Sequence, residues 1–239
     1  MTEILEEILE ALNRAPAGAR AWEVQSDAAA LWPVTRHHEV SCSAMLSRVS
    51  MGEEMVALRQ RIDALFPDHP SRAIEFIGSR EGEGTSTVVG EFARVSAAQF
   101  GQRVLLLEME PHGGGESRPG LESYGAGAGE GRLDIALLPQ EFLAASSAAD
   151  SPGPAATWRG LRAAYDLILV DAPPATTSSQ GLTVSRQVDG VVLVLAAEDT
   201  RWPVAERVKE SIERSGGRVL GIVLNKRRYH IPPCIYRRL

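Results

Sequence analysis

The chain has 239 residues, 44% hydrophobic and 23% charged, enough for one large α/β domain or one domain with an arm. A formal net charge of −6 argues against non-specific nucleic-acid binding by the whole surface, and 5% aromatics are too few for a base-stacking platform. Two distant cysteines, five histidines without metal-ligand spacing and no apolar run near ~18 residues exclude a disulfide scaffold, a cysteine-rich zinc site and an expected membrane span, and suit a reducing cytoplasm.

Residues 1–50 are expected to form an N-terminal helix and an extended arm. Ile4, Leu5, Ile8, Leu9 and Leu12 make one apolar stripe of an acidic helix that Thr2 can cap. Residues 52–66 return to helical spacing, with Met55, Leu58, Ile62 and Leu65 on one face. From there the pattern alternates. Strands are expected at 73–78, 103–108, 166–171, 190–196 and 219–225, and helices at 85–100 and 204–215. The strands are continuous Val/Ile/Leu runs, the mark of strands buried on both faces. The fold class is therefore α/β, a mostly parallel sheet with helices on both faces, occupying residues 51–239. Residues 112–131 hold eight glycines and 144–156 are mostly Ala, Ser and Pro, and both read as mobile loops.

The strongest motif follows the first strand. Gly78-Ser79-Arg80-Glu81-Gly82-Glu83-Gly84-Thr85-Ser86-Thr87 is a glycine-rich turn that runs into a helix. A phosphate loop needs glycines so that backbone N–H groups converge on an anion, a helix N-terminus behind them, and a Ser or Thr for Mg²⁺. Ser86 holds that last place. The lysine that should precede it is Thr85, and Ser79 stands where the first glycine normally is. A lysine placed ~4 Å from a phosphate is worth about 4 kcal/mol at an effective dielectric of ~20, before desolvation. Its loss weakens nucleotide binding and phosphoryl transfer. Arg80 is expected to point to solvent more than to rescue the charge.

Acids at strand ends supply the second signal. Leu105-Leu106-Leu107 runs into Glu108-Met109-Glu110, and Leu167-Ile168-Leu169-Val170 into Asp171. An acid at the C-terminal end of a buried strand is the expected form of a Mg²⁺ ligand in a phosphoryl-transfer site. Asp171 fits, whereas Glu108 and Glu110 carry an extra methylene. Asn225 ends the last strand, where it could read an adenine edge.

Together these pieces resemble the cytoplasmic domain of bacterial tyrosine kinases. The matching parts are Gly82-Glu83-Gly84-x-Ser86-Thr87, the E-x-E of Glu108 and Glu110 in place of D-x-D, Val170-Asp171-Ala172-Pro173-Pro174, and Gly221-Ile222-Val223-Leu224-Asn225. Glu53 and Arg59 match the family's E-x-x-R-x-x-R interface helix, but Val56 replaces its first arginine. The resemblance implies a P-loop NTPase-like fold that binds ATP or ADP with Mg²⁺. Gly82, Glu83, Gly84, Thr85, Ser86, Thr87 and Asn225 would bind the nucleotide. Ser86, Asp171 and Glu108 would serve the metal, and Asp171 and Glu110 catalysis. It also implies a cytoplasmic protein, peripheral at the inner membrane, whose partner is a membrane polysaccharide co-polymerase in exopolysaccharide synthesis or export. A homo-oligomer is possible and no nucleic acid is expected. The lost lysine, the E-x-E and a tail reduced to Tyr229 and Tyr236 point to a pseudokinase. The alternatives are an active ATPase or tyrosine autokinase, and a partition- or positioning-type ATPase. The last relies on a signature lysine that does not occur between Ser79 and Thr87.

Overall fold

A computed structural model of the chain describes residues 52–67, 69–109, 122–125, 131–138 and 153–226. The expected N-terminal arm, Glu110, most of the glycine-rich segment and the C-terminal tail lie outside these residues. The first helix, α1, spans Gly52–Leu65 and is followed by β1, Arg72–Gly78. Helix α2 is Thr85–Phe100, β2 is Arg103–Met109, β3 is Glu122–Gly125 and β4 is Arg132–Leu138. Then come α3, Gly153–Ala164, β5, Leu167–Ala172, and the short α4, Gln180–Val184. Strand β6, Gly190–Ala196, helix α5, Trp202–Arg214, and β7, Val219–Asn225, complete the order.

Seven strands form one sheet in the order β3-β4-β2-β5-β1-β6-β7. All neighbours pair in parallel except β3, which runs antiparallel to β4 at the edge. The central strands β1, β5 and β6 are almost wholly buried, as their unbroken apolar runs require. Alternate residues feed opposite layers. Ile74 and Phe76 of β1 pack with Met55, Ile62, Val88, Val89 and Phe92 of α1 and α2. Ala73 and Ile77 pack with Trp158 and Leu161 of α3 and Ala205, Val208 and Ile212 of α5. The Phe76 and Phe92 rings lie 5.4 Å apart, a contact that adds to their burial. This is the expected α/β architecture, with a parallel sheet covered by helices on both faces.

Several details differ from the expectations. Strand β4 was not anticipated because Asp134 interrupts its apolar run. The fully buried Asp134 carboxylate accepts from Tyr165 Oη at 2.9 Å and Arg132 Nε at 2.7 Å, so the interruption is satisfied internally. The glycine-rich segment contains β3, and α3 begins inside the stretch expected to be a loop. Leu65 of α1 is exposed, and Arg59 takes a buried place on that helix beside Met55 and Ile62. Arg59 Nε and Nη2 reach Asp63 at 3.0 and 2.8 Å, and its guanidinium lies 5.6 Å from the Phe100 ring centre. Burial lowers its pKa, which Asp63 only partly offsets. The arginine that matches the interface motif is thus spent inside its own domain. No helix among the described residues is long and apolar enough to cross a membrane.

Candidate functional site

Parallel pairing brings the C-terminal ends of β1, β2, β5, β6 and β7 to one edge of the sheet, where ligands of open α/β folds bind. The loop from Gly78 to Thr85 lies there. Gly82 and Gly84 have φ of +79° and +86°, left-handed conformations that a Cβ would strain. Gly84 stands directly before α2, which opens with no side-chain cap. The N–H groups of its first turn, Thr85, Ser86 and Thr87 among them, therefore face the site without intrahelical partners. That is an anion-binding arrangement.

Glu83 holds the loop from within. Its side chain is 2% exposed. The carboxylate accepts from the Ser79 N–H at 2.5 Å, the Arg80 N–H at 2.9 Å, the Ser79 hydroxyl at 2.8 Å and the Thr200 hydroxyl. Burial pushes its pKa up, but these four donors outweigh that and hold it below the usual carboxylate range. Thr176 Oγ1 fixes the base of the loop by donating to the Ser79 carbonyl at 2.6 Å. From the far side, Asn225 Nδ2 donates to the Glu83 carbonyl at 2.9 Å and Lys226 Nζ to the Gly82 carbonyl at 2.5 Å.

The metal-side residues also meet. The Ser86 hydroxyl lies close enough to the Asp171 carboxylate to favour its charged form. Glu108 is the register partner of Asp171 on the adjoining strand. Burial pushes the Asp171 pKa up to about 6, the Ser86 hydroxyl works against that rise, and the negative charge of Glu108 adds to it. A hydroxyl with two carboxylates is a set of hard oxygen donors, the kind that holds a partly hydrated Mg²⁺.

The expected residues thus fall into two groups. Gly82, Glu83, Gly84, Thr85, Ser86, Thr87, Asp171, Glu108 and Asn225 come to one sheet edge, while Glu110 lies outside the described residues. Two orientations are specific. Arg80 Nη2 bonds the Asp199 carbonyl at 2.8 Å, directing its charge to the segment after β6 and away from the cradle. Asn225 donates one amide N–H to the loop backbone, at the Glu83 carbonyl. Half-buried Thr85 turns toward β1, where a Cβ on Gly78 would meet its hydroxyl at 2.7 Å. Sequence reasoning missed Thr176, Thr200 and Lys226. Lys226 had a usable signal, a cation directly after the strand-end asparagine, whereas the two threonines carry no motif.

No family model matches the chain. The tyrosine-protein kinase CpsD of Streptococcus agalactiae is 27% identical over 184 residues, 70% of this chain and 80% of that protein. Tyrosine-protein kinase YwqD of Bacillus subtilis is 24% identical over 72% of this chain and 80% of its own length. Among solved structures, the kinase domain of Escherichia coli tyrosine kinase ETK superposes with a TM-score of 0.61 at 19% identity, covering 84% of this chain and 88% of that one. The chimerical protein CapA2B2 gives the same TM-score at 20% identity, over 77% and 88%. Over about 70% of its length the chain is thus similar in sequence to bacterial tyrosine-protein kinases, and it shares the fold of the solved kinase domains.

Proposed function

We propose that the chain is a nucleotide-binding, catalytically impaired member of this group. It would support capsule or exopolysaccharide synthesis, chain length or export by acting with a membrane co-polymerase. The observation that carries this reading is Thr85, which occupies the lysine position of an otherwise assembled cradle and turns its hydroxyl toward β1. ATP or ADP would sit on the N–H groups of Gly82 to Thr87, with Mg²⁺ served by Ser86, Asp171 and Glu108. Three acids, Glu83, Glu108 and Asp171, surround that cradle. The metal's charge is therefore needed to hold an anion there. Relatives named as tyrosine-protein kinases support the assignment of class. The basic segment 226–239, with five Lys/Arg and no acid, offers charge for docking at the membrane partner's acidic cytoplasmic segments or at anionic lipid. Oligomerisation through α1 would have to use Glu53 without the buried Arg59.

The Ser86–Asp171 contact favours a second reading, an active ATPase or tyrosine autokinase that tolerates Thr85. Titration with a fluorescent ATP analogue, with and without Mg²⁺, separates the two when turnover and phosphotyrosine are followed on the same protein. The expected result is Mg²⁺-dependent binding that disappears in Ser86→Ala and Asp171→Ala, with turnover and phosphotyrosine at background. Unchanged affinity in both variants would remove the assignment of the site. Turnover that Asp171→Ala abolishes would make the chain an enzyme.

A further inference from the structure

We infer that Asn225 and Lys226 are positioning residues for the phosphate loop, and that Lys226 supplies from behind the loop part of the charge Thr85 lacks. The charge component rests on the nucleotide-binding reading above; the positioning component does not. In a trans peptide unit the carbonyl and the N–H point in opposite directions. No cis peptide occurs among the described residues. Lys226 Nζ holds the Gly82 carbonyl, and the same peptide unit carries the Glu83 N–H. Asn225 Nδ2 holds the Glu83 carbonyl, and that unit carries the Gly84 N–H. Two successive N–H groups are therefore turned away from β7, toward the concave side of the loop. An ammonium on a carbonyl oxygen also polarises its peptide, so the opposite N–H becomes a stronger donor to an anion.

Three further observations fit this clasp. Lys226 has φ 57°, the one positive value for a non-glycine residue among those described, a conformation that costs free energy for a residue with a Cβ. The Ala197 N–H donates to the Asn225 carbonyl at 2.9 Å, fixing the strand end from which both side chains reach. A Cβ on Gly84 would strike the Asn225 amide nitrogen, so loop and clasp fit each other only with glycine there.

The test compares Lys226→Met, which keeps the stem without the charge, with Lys226→Arg. Each is made in the wild type and in Thr85→Lys, and titrated with Mg-ADP. Amide hydrogen exchange at residues 79–88 is measured on the nucleotide-free proteins. The expected result is binding about tenfold weaker in Lys226→Met, restored mostly by Lys226→Arg, with a smaller loss in the Thr85→Lys background. Exchange at Ser79, Arg80 and Val88, whose N–H groups are held by the Glu83 carboxylate and the Gly84 carbonyl, should quicken in Lys226→Met. Unchanged exchange overturns the positioning role, and faster exchange with unchanged affinity overturns the charge role. If neither the wild type nor Thr85→Lys binds Mg-ADP, the nucleotide reading has failed. The charge role then falls with it, and the positioning role stands or falls on exchange alone.

Discussion

Replacing Glu83 with glutamine asks whether a buried negative charge holds the loop together. The carboxylate accepts two backbone N–H groups on one oxygen and two hydroxyls on the other. A glutamine can keep its oxygen on the Ser79 and Arg80 N–H groups and offer its NH₂ to the hydroxyls, which then turn to accept. The Ser79 and Thr200 hydroxyl hydrogens lose that acceptor, so the variant removes the charge together with two hydroxyl donations. A charge-assisted hydrogen bond is worth ~1 kcal/mol more than a neutral one, and four are weakened. Relief from burying a charge returns part of that. The net loss expected is about 2 kcal/mol, or a Tm lower by about 4–8 °C for a domain of this size. Calorimetry at pH 7.5 measures it directly.

The pH dependence supplies an internal control. The folded pKa of Glu83 lies below its unfolded value of about 4.3, so the folded state releases its proton more readily. The stabilisation is complete above the unfolded value and drains away as pH falls through the folded one. The gap between wild type and Glu83→Gln should therefore narrow on acidification. A variant that melts with the wild type at pH 7.5 would refute the reasoning. So would a gap that stays constant down to the lowest pH at which both proteins fold.

Two other carboxyls should behave in the opposite sense. Glu75 is fully buried in β1 and accepts from Ser185 Oγ at 2.6 Å; burial pushes its pKa up to about 8, and the Ser185 bond only partly counters that. Between about pH 4.3 and 8 the folded chain holds a proton that the unfolded chain has lost, so wild-type stability should decline by about 1.4 kcal/mol per pH unit from this group. Urea unfolding of Glu75→Gln should lack that component, and parallel pH profiles for the two proteins would contradict it. Asp171, raised to about 6, must shed its proton to serve a cation. Mg²⁺-dependent nucleotide affinity should therefore rise from pH 5 to 7. Asp171→Asn should remove it while raising Tm at pH 8 by several degrees, because the folded state then no longer carries an ionised half-buried carboxylate. A flat affinity profile across that range would exclude Asp171 from the metal side.

The sheet was legible where strands are uninterrupted apolar runs, as in Leu167-Ile168-Leu169-Val170 and Gly190-Val191-Val192-Leu193-Val194. It was not legible at β4, whose buried Asp134 looks like a surface residue until Tyr165 and Arg132 arrive from elsewhere. Arg59 was legible only as a match to the interface motif, and its burial depends on Asp63 and Phe100 receiving it. The position of the phosphate loop was plain from its glycines. What holds it was not. Glu83 meets Thr200 across 117 residues, and Asn225 and Lys226 reach the loop across 142 and 144. Only the order of strands in the sheet brings those partners together, and no local pattern encodes it.

Those separations bear on when the site comes into being. Among the described residues β7 pairs only with β6, and β6 pairs with β1, so the clasp can close only after the far edge of the sheet has docked. Contacts this distant in sequence are slow to form because the intervening chain must first be ordered. A polypeptide emerging from the ribosome could assemble β1, α2 and β2 early, yet its Gly82–Gly84 segment would have no Asn225 or Lys226 to orient it. The loop is encoded near the start of the domain and completed near its end, so competence to hold an anion would report that the sheet has finished folding.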